Sequence, residues 1–362
     1  MAQWKQETME RYLASVVGKP VSILATTALG EGEEGGGVKT YGYGTPVKID
    51  FAAEGEDPRS LVLHTMSPGP FGHEHMSDRA RILLWSHGAF NRLPQHVRSL
   101  DVAAFECDGS LVPLGKAQEF CLLTEYADGA GYAQDLQRIA ETDALTPLDQ
   151  QRADALCDYL AGIHRTTGKD PGLYIRRVRE LVGDGECIMG ILDSYPAHPR
   201  ISAGMLQQIE HSCVEWRWKL KPLTHRLRQV HGDFHPWNIL FAEGTQFRLL
   251  DRSRGEWGDP ADDVACLTMN YIFFSLRRAG RLDGPFAELF RRFWDRYLDR
   301  TGDFEMPSVL APYFAFRALV MASPAWYPSL ADTVRDKLLA FVRAVLAEDT
   351  FDPQKVNEYC GG

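Results

Sequence analysis

The residues best suited to chemistry lie in one short segment, His231-Gly-Asp-Phe-His-Pro-Trp-Asn238, and at Asp251 beyond it. Asp233 is a carboxylate on a predicted loop, so it can orient an attacking hydroxyl and accept its proton. Asn238 and Asp251 are hard oxygen donors of the kind that Mg²⁺ prefers. The 12 residues between those two can form a tight hairpin that brings their side chains together. A base and a pair of magnesium ligands are the groups that phosphoryl transfer requires.

Two other interpretations of this segment compete with phosphoryl transfer. Asp and Asn side chains often satisfy backbone donors in turns and at helix starts, which would make the segment purely structural. His231, Asp233 and His235 could instead surround a transition metal in a hydrolase. The metal interpretation is disfavoured because the sequence has no HExxH motif and no matching second cluster.

The pattern H-x-D-x-x-x-x-N followed by a strand-borne Asp resembles the aminoglycoside phosphotransferase and choline kinase family, relatives of the protein kinases. The run Gly258-Asp-Pro-Ala-Asp-Asp263 is typical of the small-molecule members. The resemblance covers residues 20–345. It implies an α+β, two-lobed protein-kinase-like fold, with a mainly antiparallel sheet lobe and a larger helical lobe. His231 would then support the catalytic loop.

The same resemblance assigns roles to individual residues. Asp233 would be the catalytic base, and Asn238 and Asp251 would hold Mg²⁺. The segment LLTEYA resembles the hinge between the lobes, so the Glu125 carbonyl and the Ala127 amide would face the adenine.

A glycine-rich segment follows the first predicted strand. Gly30, Gly32 and Gly35 fit G-x-G-x-x-G, but a second strand follows them where a dinucleotide fold would have a helix. A strand–loop–strand hairpin is the shape that covers nucleotide phosphates in kinases. A flexible surface loop is the simpler interpretation of the glycines alone.

The chain departs from the family pattern at the phosphate-binding lysine. Aligning SLVLHTM with the third strand places His64 where that lysine is expected. Lys48 or Lys39 could substitute for it, and His64 could also be a packed histidine beneath the glycine loop. The acidic partner of the lysine would be Asp78 or Glu74, and Asp78 is preferred because it precedes the apolar run RILLW.

The character of the chain changes partway along, which predicts residues 1–125 as a nucleotide-binding lobe and residues 126–362 as a helical lobe with the catalytic loop. The first part holds the short β-rich segments VSILATTAL, PVKIDFAAE, SLVLHTM, VAAFE and EFCLLTEY, with one helix at about 74–90. Later segments such as AGMLQQIEHSCVEWRWKL have apolar residues at helical spacing.

Composition limits the function classes. The 362 residues carry a net charge of −10, and this acidity argues against nucleic acid binding. No apolar run is long enough for a membrane helix, no secretory signal begins the sequence, and the seven cysteines are scattered, so we expect a cytoplasmic protein with no membrane partner.

The sequence therefore predicts a Mg²⁺-dependent kinase that transfers the γ-phosphoryl group of ATP or GTP to a hydroxyl of a small molecule. Aminoglycosides, choline-like amino alcohols and sugars are candidate acceptors, cationic ones included, and Asp262, Asp263 and Asp283 are candidate contacts for an amine. Aromatic residues of the C-terminal helices would form core or stack on the acceptor. The alternative is a pseudokinase that binds nucleotide or a partner, because the phosphate-binding lysine is missing.

Overall fold

The structure is a computed structural model that describes residues 4–29, 44–69, 72–92, 94–252 and 254–361. The chain divides into two compact units, Met1–Thr124 and Glu125–Gly362, one residue from the predicted boundary. Each unit has its own hydrophobic core. Among the described residues, no helix is both long and apolar enough to cross a lipid bilayer.

The first unit contains a three-stranded antiparallel sheet with a helix on one face. Its elements are α1 (Gln6–Val17), β1 (Val21–Ala28), β2 (Val47–Ala53), β3 (Arg59–Leu63), α2 (Met76–Phe90), β4 (Ala103–Phe105) and β5 (Leu111–Pro113). The central strand β2 alternates, with Ile49 and Phe51 buried and Lys48 and Asp50 on the opposite face. Because side chains in a strand point alternately to the two faces, this pattern buries one face of the sheet, against which Leu13 of α1 packs.

The predicted strand EFCLLTEY is wrong. Residues 114–128 form no strand, and Leu122, Leu123 and Tyr126 are 88%, 95% and 88% exposed. A segment with apolar side chains forms a stable strand only when a neighbouring strand supplies hydrogen bonds and a face to pack against. Among the described residues none pairs with this segment.

The second unit is helical around a large core. Its elements are β6 (Ala130–Gly131), α3 (Tyr132–Thr142), α4 (Pro147–Ile163), α5 (Pro171–Gly183), α6 (Ile188–Asp193), α7 (Ala203–Leu220), β7 (Arg228–Gln229), β8 (Ile239–Phe241), β9 (Phe247–Leu249), β10 (Trp257–Gly258), α8 (Pro260–Ala279), α9 (Gly284–Thr301), α10 (Ala311–Ala322), α11 (Asp332–Ala347) and α12 (Val356–Tyr359). The predicted fold class, an antiparallel-sheet part followed by a larger helical part, is confirmed.

Two small antiparallel sheets position the chemically interesting loop. Strands β6, β8 and β9 form one, and β7 pairs with β10 in the other. The loop between β7 and β8 contains Asp233, and it ends in a short 3₁₀ turn, Pro236–Asn238. Asp251 comes shortly after β9, so the predicted hairpin between Asn238 and Asp251 is present.

Helix α8 begins beside that loop and is almost entirely buried. Asp259 caps its start by accepting the N–H of Ala261, and Pro260 occupies its first turn, where a missing N–H costs nothing. Gly280 ends the helix with φ +70°. The Gly-Asp-Pro run is thus a helix start, and it fixes where the following carboxylates lie.

Candidate active site

A buried carboxylate holds the backbone of the loop that contains Asp233. Asp263 is fully buried and accepts hydrogen bonds from the N–H groups of His231 (2.8 Å) and Gly232 (2.7 Å). His164 Nε2 lies 3.1 Å from the same carboxylate, and its Nδ1 lies 2.8 Å from the Tyr297 hydroxyl. Because bonds to a charged acceptor in a dry environment are strong, this network makes the loop rigid.

The loop turns at Gly232, which has φ +86°. A Cβ at this position would lie 3.3 Å from Cβ of Arg254, so both backbone conformation and space favour glycine. His231 is buried and its Nδ1 lies 3.3 Å from the N–H of Asp233. His231 thus occupies a supporting place in the loop, as the resemblance implies.

The two oxygens of the Asp233 carboxylate have different surroundings. Oδ1 accepts a 2.5 Å hydrogen bond from Nη1 of Arg317, and Cys266 Sγ is 4.0 Å away. Oδ2 lies 3.4 Å from Nδ2 of Asn238 and 3.5 Å from Nε2 of His235. The side chain keeps 14% of its surface exposed, which is enough for contact with a bound reactant.

Asn238 and Asp251 lie on the facing arms of the β8–β9 hairpin. The N–H of Leu250 donates to the carbonyl of Asn238 (2.9 Å), which aligns the two arms. Asn238 is buried and donates through Nδ2 to the Asp233 carbonyl (3.0 Å), while its Oδ1 accepts no hydrogen bond from the part of the chain that the structure describes. Asp251 is exposed and has φ +51°.

A non-glycine residue in the left-handed region costs free energy and is common at functional sites. Asp251 has this conformation at the end of a hairpin that leads from Asn238. An amide oxygen with no donor in the described part of the chain and an exposed carboxylate are a donor set that suits Mg²⁺. The two residues therefore fit a magnesium site that phosphate oxygens would complete.

Electrostatics favour an ionised Asp233. Burial raises the pKa of its carboxyl group, but the Arg317 and Arg254 guanidinium groups outweigh that effect and hold the pKa below its usual range. Burial lowers the pKa of His235, which favours the neutral ring. For Asp262, burial outweighs the effect of Arg317 and Arg254 and raises the pKa of the carboxyl group. A base must be unprotonated to accept a proton, and Asp233 meets that condition at neutral pH.

The transition-metal interpretation gains no support. The part of the chain that the structure describes contains no group of three or more His, Cys, Asp or Glu side chains arranged to hold a metal ion. His231 is directed into the protein, where its ring stacks edge-on against Phe234 at 5.6 Å between centroids. A site formed by Asn238, Asp251 and phosphate oxygens needs no such cluster.

Asp259 stabilises the fold through buried hydrogen bonds. Its carboxylate accepts hydrogen bonds from Arg226 (2.9 Å from both Nε and Nη2) and from the hydroxyl of Tyr174 (2.9 Å). Arg226 also reaches Asp303 and Glu305. The Gly-Asp-Pro run therefore ties the start of α8 to neighbouring segments through buried charges.

The predicted nucleotide contacts are only partly described. Gly30, Gly32 and Gly35 lie outside the described residues, as does Lys39. His64 is exposed and directly follows β3. Its role at the phosphates remains a prediction.

Two other residues suggested for the phosphate site have defined contacts. Lys48 is on the polar face of the sheet, where its Nζ lies 2.8 Å from Asp50. Asp78 is buried at the start of α2, where its Oδ2 accepts the N–H of His75 (2.8 Å). Glu125 and Ala127 lie in the exposed segment without secondary structure, and their contact with adenine remains a prediction.

Most aromatic side chains proposed for acceptor stacking are core. The buried ones are Tyr271, Phe273, Phe274, Trp294, Tyr297, Tyr313, Phe314 and Phe316. Trp326 is 62% exposed. Trp237, in the 3₁₀ turn of the loop that contains Asp233, is 47% exposed with its ring 6.3 Å from that of Phe274, so sequence reasoning overlooked an exposed aromatic in this loop.

The carboxylates suggested as amine contacts have other partners. Asp263 is buried beneath the loop, and Asp262 accepts a 2.6 Å hydrogen bond from Arg317. Asp283 caps α9 through the N–H of Gly284 (2.8 Å). Arg317 itself was missed, because an arginine inside the apolar run APYFAFRALVMA is the only sequence signal of a buried charge there.

Comparison with known families identifies the class of enzyme. Residues 56–309 match the model of the phosphotransferase enzyme family, which is more than half of the chain. The chain therefore belongs to that family and is a small-molecule kinase, as the catalytic-loop motif implied. A search of curated proteins gave no significant match.

Solved structures with a similar fold include several small-molecule kinases. An amicoumacin kinase in complex with AMP-PNP, Ca²⁺ and Ami is 15% identical, with 98% of this chain and 94% of that chain covered and a TM-score of 0.41. A glucosamine kinase is 15% identical over 91% and 92% of the two chains, with a TM-score of 0.40. A choline/ethanolamine kinase family protein from Mesorhizobium loti is 12% identical over 87% and 90%, with a TM-score of 0.38.

Proposed function

We propose that this chain transfers the γ-phosphoryl group of ATP or GTP to a hydroxyl of a small molecule in a Mg²⁺-dependent reaction. The observation that carries the proposal is the constellation on one loop and hairpin: Asp233 with a lowered pKa, the amide oxygen of Asn238 with no donor among the described residues, and the exposed carboxylate of Asp251. Family membership supports the reaction class.

In this reaction Asp233 orients the acceptor hydroxyl and accepts its proton as the oxygen attacks the γ-phosphorus. Asn238 and Asp251 hold Mg²⁺, which when bound neutralises charge on the β- and γ-phosphates. Asp263 keeps the loop in place by binding its backbone, so little reorganisation is needed during transfer.

The donor site is proposed from the sequence pattern. Gly30, Gly32 and Gly35 would cover the phosphates with backbone N–H groups, and His64 would contact them in place of a lysine. Glu125 and Ala127 would face the adenine. All seven cysteines are free thiols, five of them buried, which suits the reducing cytoplasm that we propose as its location.

The acceptor is proposed to be an aminoglycoside, an amino alcohol or a sugar. Trp237 offers an exposed aromatic face beside the base, on which a sugar ring or a quaternary ammonium group can pack. Asp262, a candidate carboxylate for binding an amine, already pairs with Arg317. Recognition of a cationic acceptor would therefore depend on aromatic faces more than on that carboxylate.

The test is a transfer screen. The protein is incubated with ATP or GTP, with and without Mg²⁺, and with each acceptor class, while nucleoside diphosphate and phosphorylated acceptor are measured by mass spectrometry. The proposal expects Mg²⁺-dependent formation of both products in equal amounts with one class. Nucleotide binding without transfer to any acceptor would favour the pseudokinase alternative.

A further inference from the structure

An arginine distant in sequence contacts the proposed base. Arg317, in α10, is buried, and its two terminal nitrogens contact the loop that contains Asp233 and the start of α8. Nη1 donates to Oδ1 of Asp233 (2.5 Å), and Nη2 donates to the carbonyl of Gly232 (3.0 Å) and to Oδ1 of Asp262 (2.6 Å). One guanidinium thus joins two consecutive residues of the loop to the first turn of α8.

A second buried arginine shows what a purely structural role looks like in this chain. Arg335, in α11, donates to the backbone carbonyls of Ala322, Tyr327 and Leu330 and to no carboxylate in the described residues. It stabilises a helix end and the turn that follows. Arg317 differs because two of its three acceptors are carboxylates, and one of these is Asp233.

The contact makes the two oxygens of Asp233 inequivalent. Oδ1 is engaged by a charged, buried donor. Among the described residues, the polar neighbours of Oδ2 are the amide of Asn238 at 3.4 Å and the ring of His235 at 3.5 Å. Oδ2 is therefore the oxygen that can exchange a weak contact for a hydrogen bond from an incoming hydroxyl.

We propose that Arg317 is a positioning residue for the reaction, which fixes Oδ1 of Asp233 so that Oδ2 receives the proton of the acceptor. This inference rests on the proposed function. In the step, the acceptor O–H bond breaks and its proton moves to Oδ2. The acceptor oxygen then forms a bond to the γ-phosphorus, while the bond from the γ-phosphorus to the bridging oxygen breaks. The nucleoside diphosphate leaves with the electron pair of that bond.

A guanidinium suits this task better than an ammonium group. Its planar fork holds several acceptors in fixed directions at once, whereas the ammonium of lysine is a point charge on a flexible stem. Asp262 is the second anchor, since its bond to Nη2 prevents the fork from rotating away from Asp233. Both anchors are needed for a fixed orientation of the carboxylate.

The experiment compares R317M and R317K with R335M, which removes a buried arginine of the same size that contacts no carboxylate in the described residues. For each folded variant, kcat, the KM for acceptor and the KM for nucleotide are measured, together with the thermal shift caused by Mg·ATP. We expect R317M to lower kcat about 100-fold, the loss typical of a catalytic group misplaced by about 1 Å. The nucleotide KM and thermal shift should remain unchanged, and R317K should recover part of kcat.

R335M should lower the melting temperature without lowering kcat. If R317M does not fold, R317Q takes its place, because it is also neutral and has no two-armed fork. The inference is overturned if the folded neutral variant has the same kcat as R335M, or if its nucleotide KM changes as much as its kcat. If the wild-type protein transfers phosphate to no acceptor, the proposed function itself fails, and this inference fails with it.

Discussion

Oδ1 of Asp233 accepts a hydrogen bond of 2.5 Å from Nη1 of Arg317, which is 84 residues away along the chain. This contact couples the catalytic loop to helix α10. Burial raises the pKa of the partly buried Asp233 carboxyl group, and the positive charge of Arg317 outweighs that effect and lowers it. The arrangement leads to predictions about both catalysis and stability.

Asp233→Asn should abolish turnover and leave nucleotide binding intact. The amide has nearly the same shape but cannot accept a proton, and a positioned base contributes about 10²–10⁴-fold to rate. Transfer to the best acceptor and the Mg·ATP thermal shift are measured on the same sample. Full activity in the variant would remove Asp233 from the role of base.

Asp263→Ala should strongly destabilise the second unit. It leaves the buried N–H groups of His231 and Gly232 without their acceptor, and each such group costs about 1–3 kcal/mol. The free energy of unfolding, measured by urea denaturation, should fall by about 3 kcal/mol. Asp283→Ala, which removes an exposed helix cap, is the control and should cost only about 1 kcal/mol. Equal losses in the two variants would contradict the network.

Asp149 should make stability depend on acid pH. Burial raises the pKa of its carboxyl group, but hydrogen bonds from Thr146 and the Arg138 guanidinium outweigh that effect and lower it. A carboxyl group with a lowered folded pKa adds stability above its unfolded pKa of about 3.9 and loses it as the pH falls through the folded value.

The measurement is the difference in unfolding free energy between the wild type and Asp149→Asn, from pH 7 to pH 2. It should be about 1 kcal/mol near neutrality and shrink below about pH 4. A difference in unfolding free energy that grows as the pH falls would contradict a lowered pKa of Asp149 in the folded state.

His64→Lys tests whether this residue is at the phosphates. A lysine at a phosphate site supplies a full positive charge, so the variant should bind Mg·ATP more tightly than the wild type. Lys19→Met is the control, because Lys19 pairs with Glu56 in the same unit, is not a candidate for the phosphate site, and its loss should leave affinity unchanged. Isothermal titration measures both. Unaltered affinity in His64→Lys would mean that His64 lies away from the phosphates.

Much of the fold could be predicted from the spacing of residues within short segments. The loop and hairpin that contain Asp233, Asn238 and Asp251 could be predicted because the three residues lie close together in sequence, and their roles remain a prediction. The helices of the second unit could be predicted because a buried helix face repeats every three or four residues. The strand expected at EFCLLTEY failed because the sequence of a segment does not reveal whether a partner strand lies beside it.

Long-range contacts escaped prediction for the same reason. Arg317 contacts both Asp233 and Asp262 through the packing of α8 and α10, and no spacing rule connects positions 233 and 317. Asp263 could be seen as an acid in a motif, but its function beneath the loop depends on burial. The polar network around the proposed site therefore required the three-dimensional structure, whereas the candidate reacting groups could be proposed from the sequence.

The central claim, a magnesium–nucleotide site that includes Asp251, is tested most directly by thermal unfolding of the wild type and Asp251→Ala with ATP, GTP and ADP, each with and without Mg²⁺. A ligand at about 100 times its dissociation constant stabilises the folded state by about 2.7 kcal/mol. The account predicts a Mg²⁺-dependent rise in melting temperature for the wild type that Asp251→Ala abolishes. The absence of any nucleotide effect on the wild type, or an equal effect on both proteins, would contradict it.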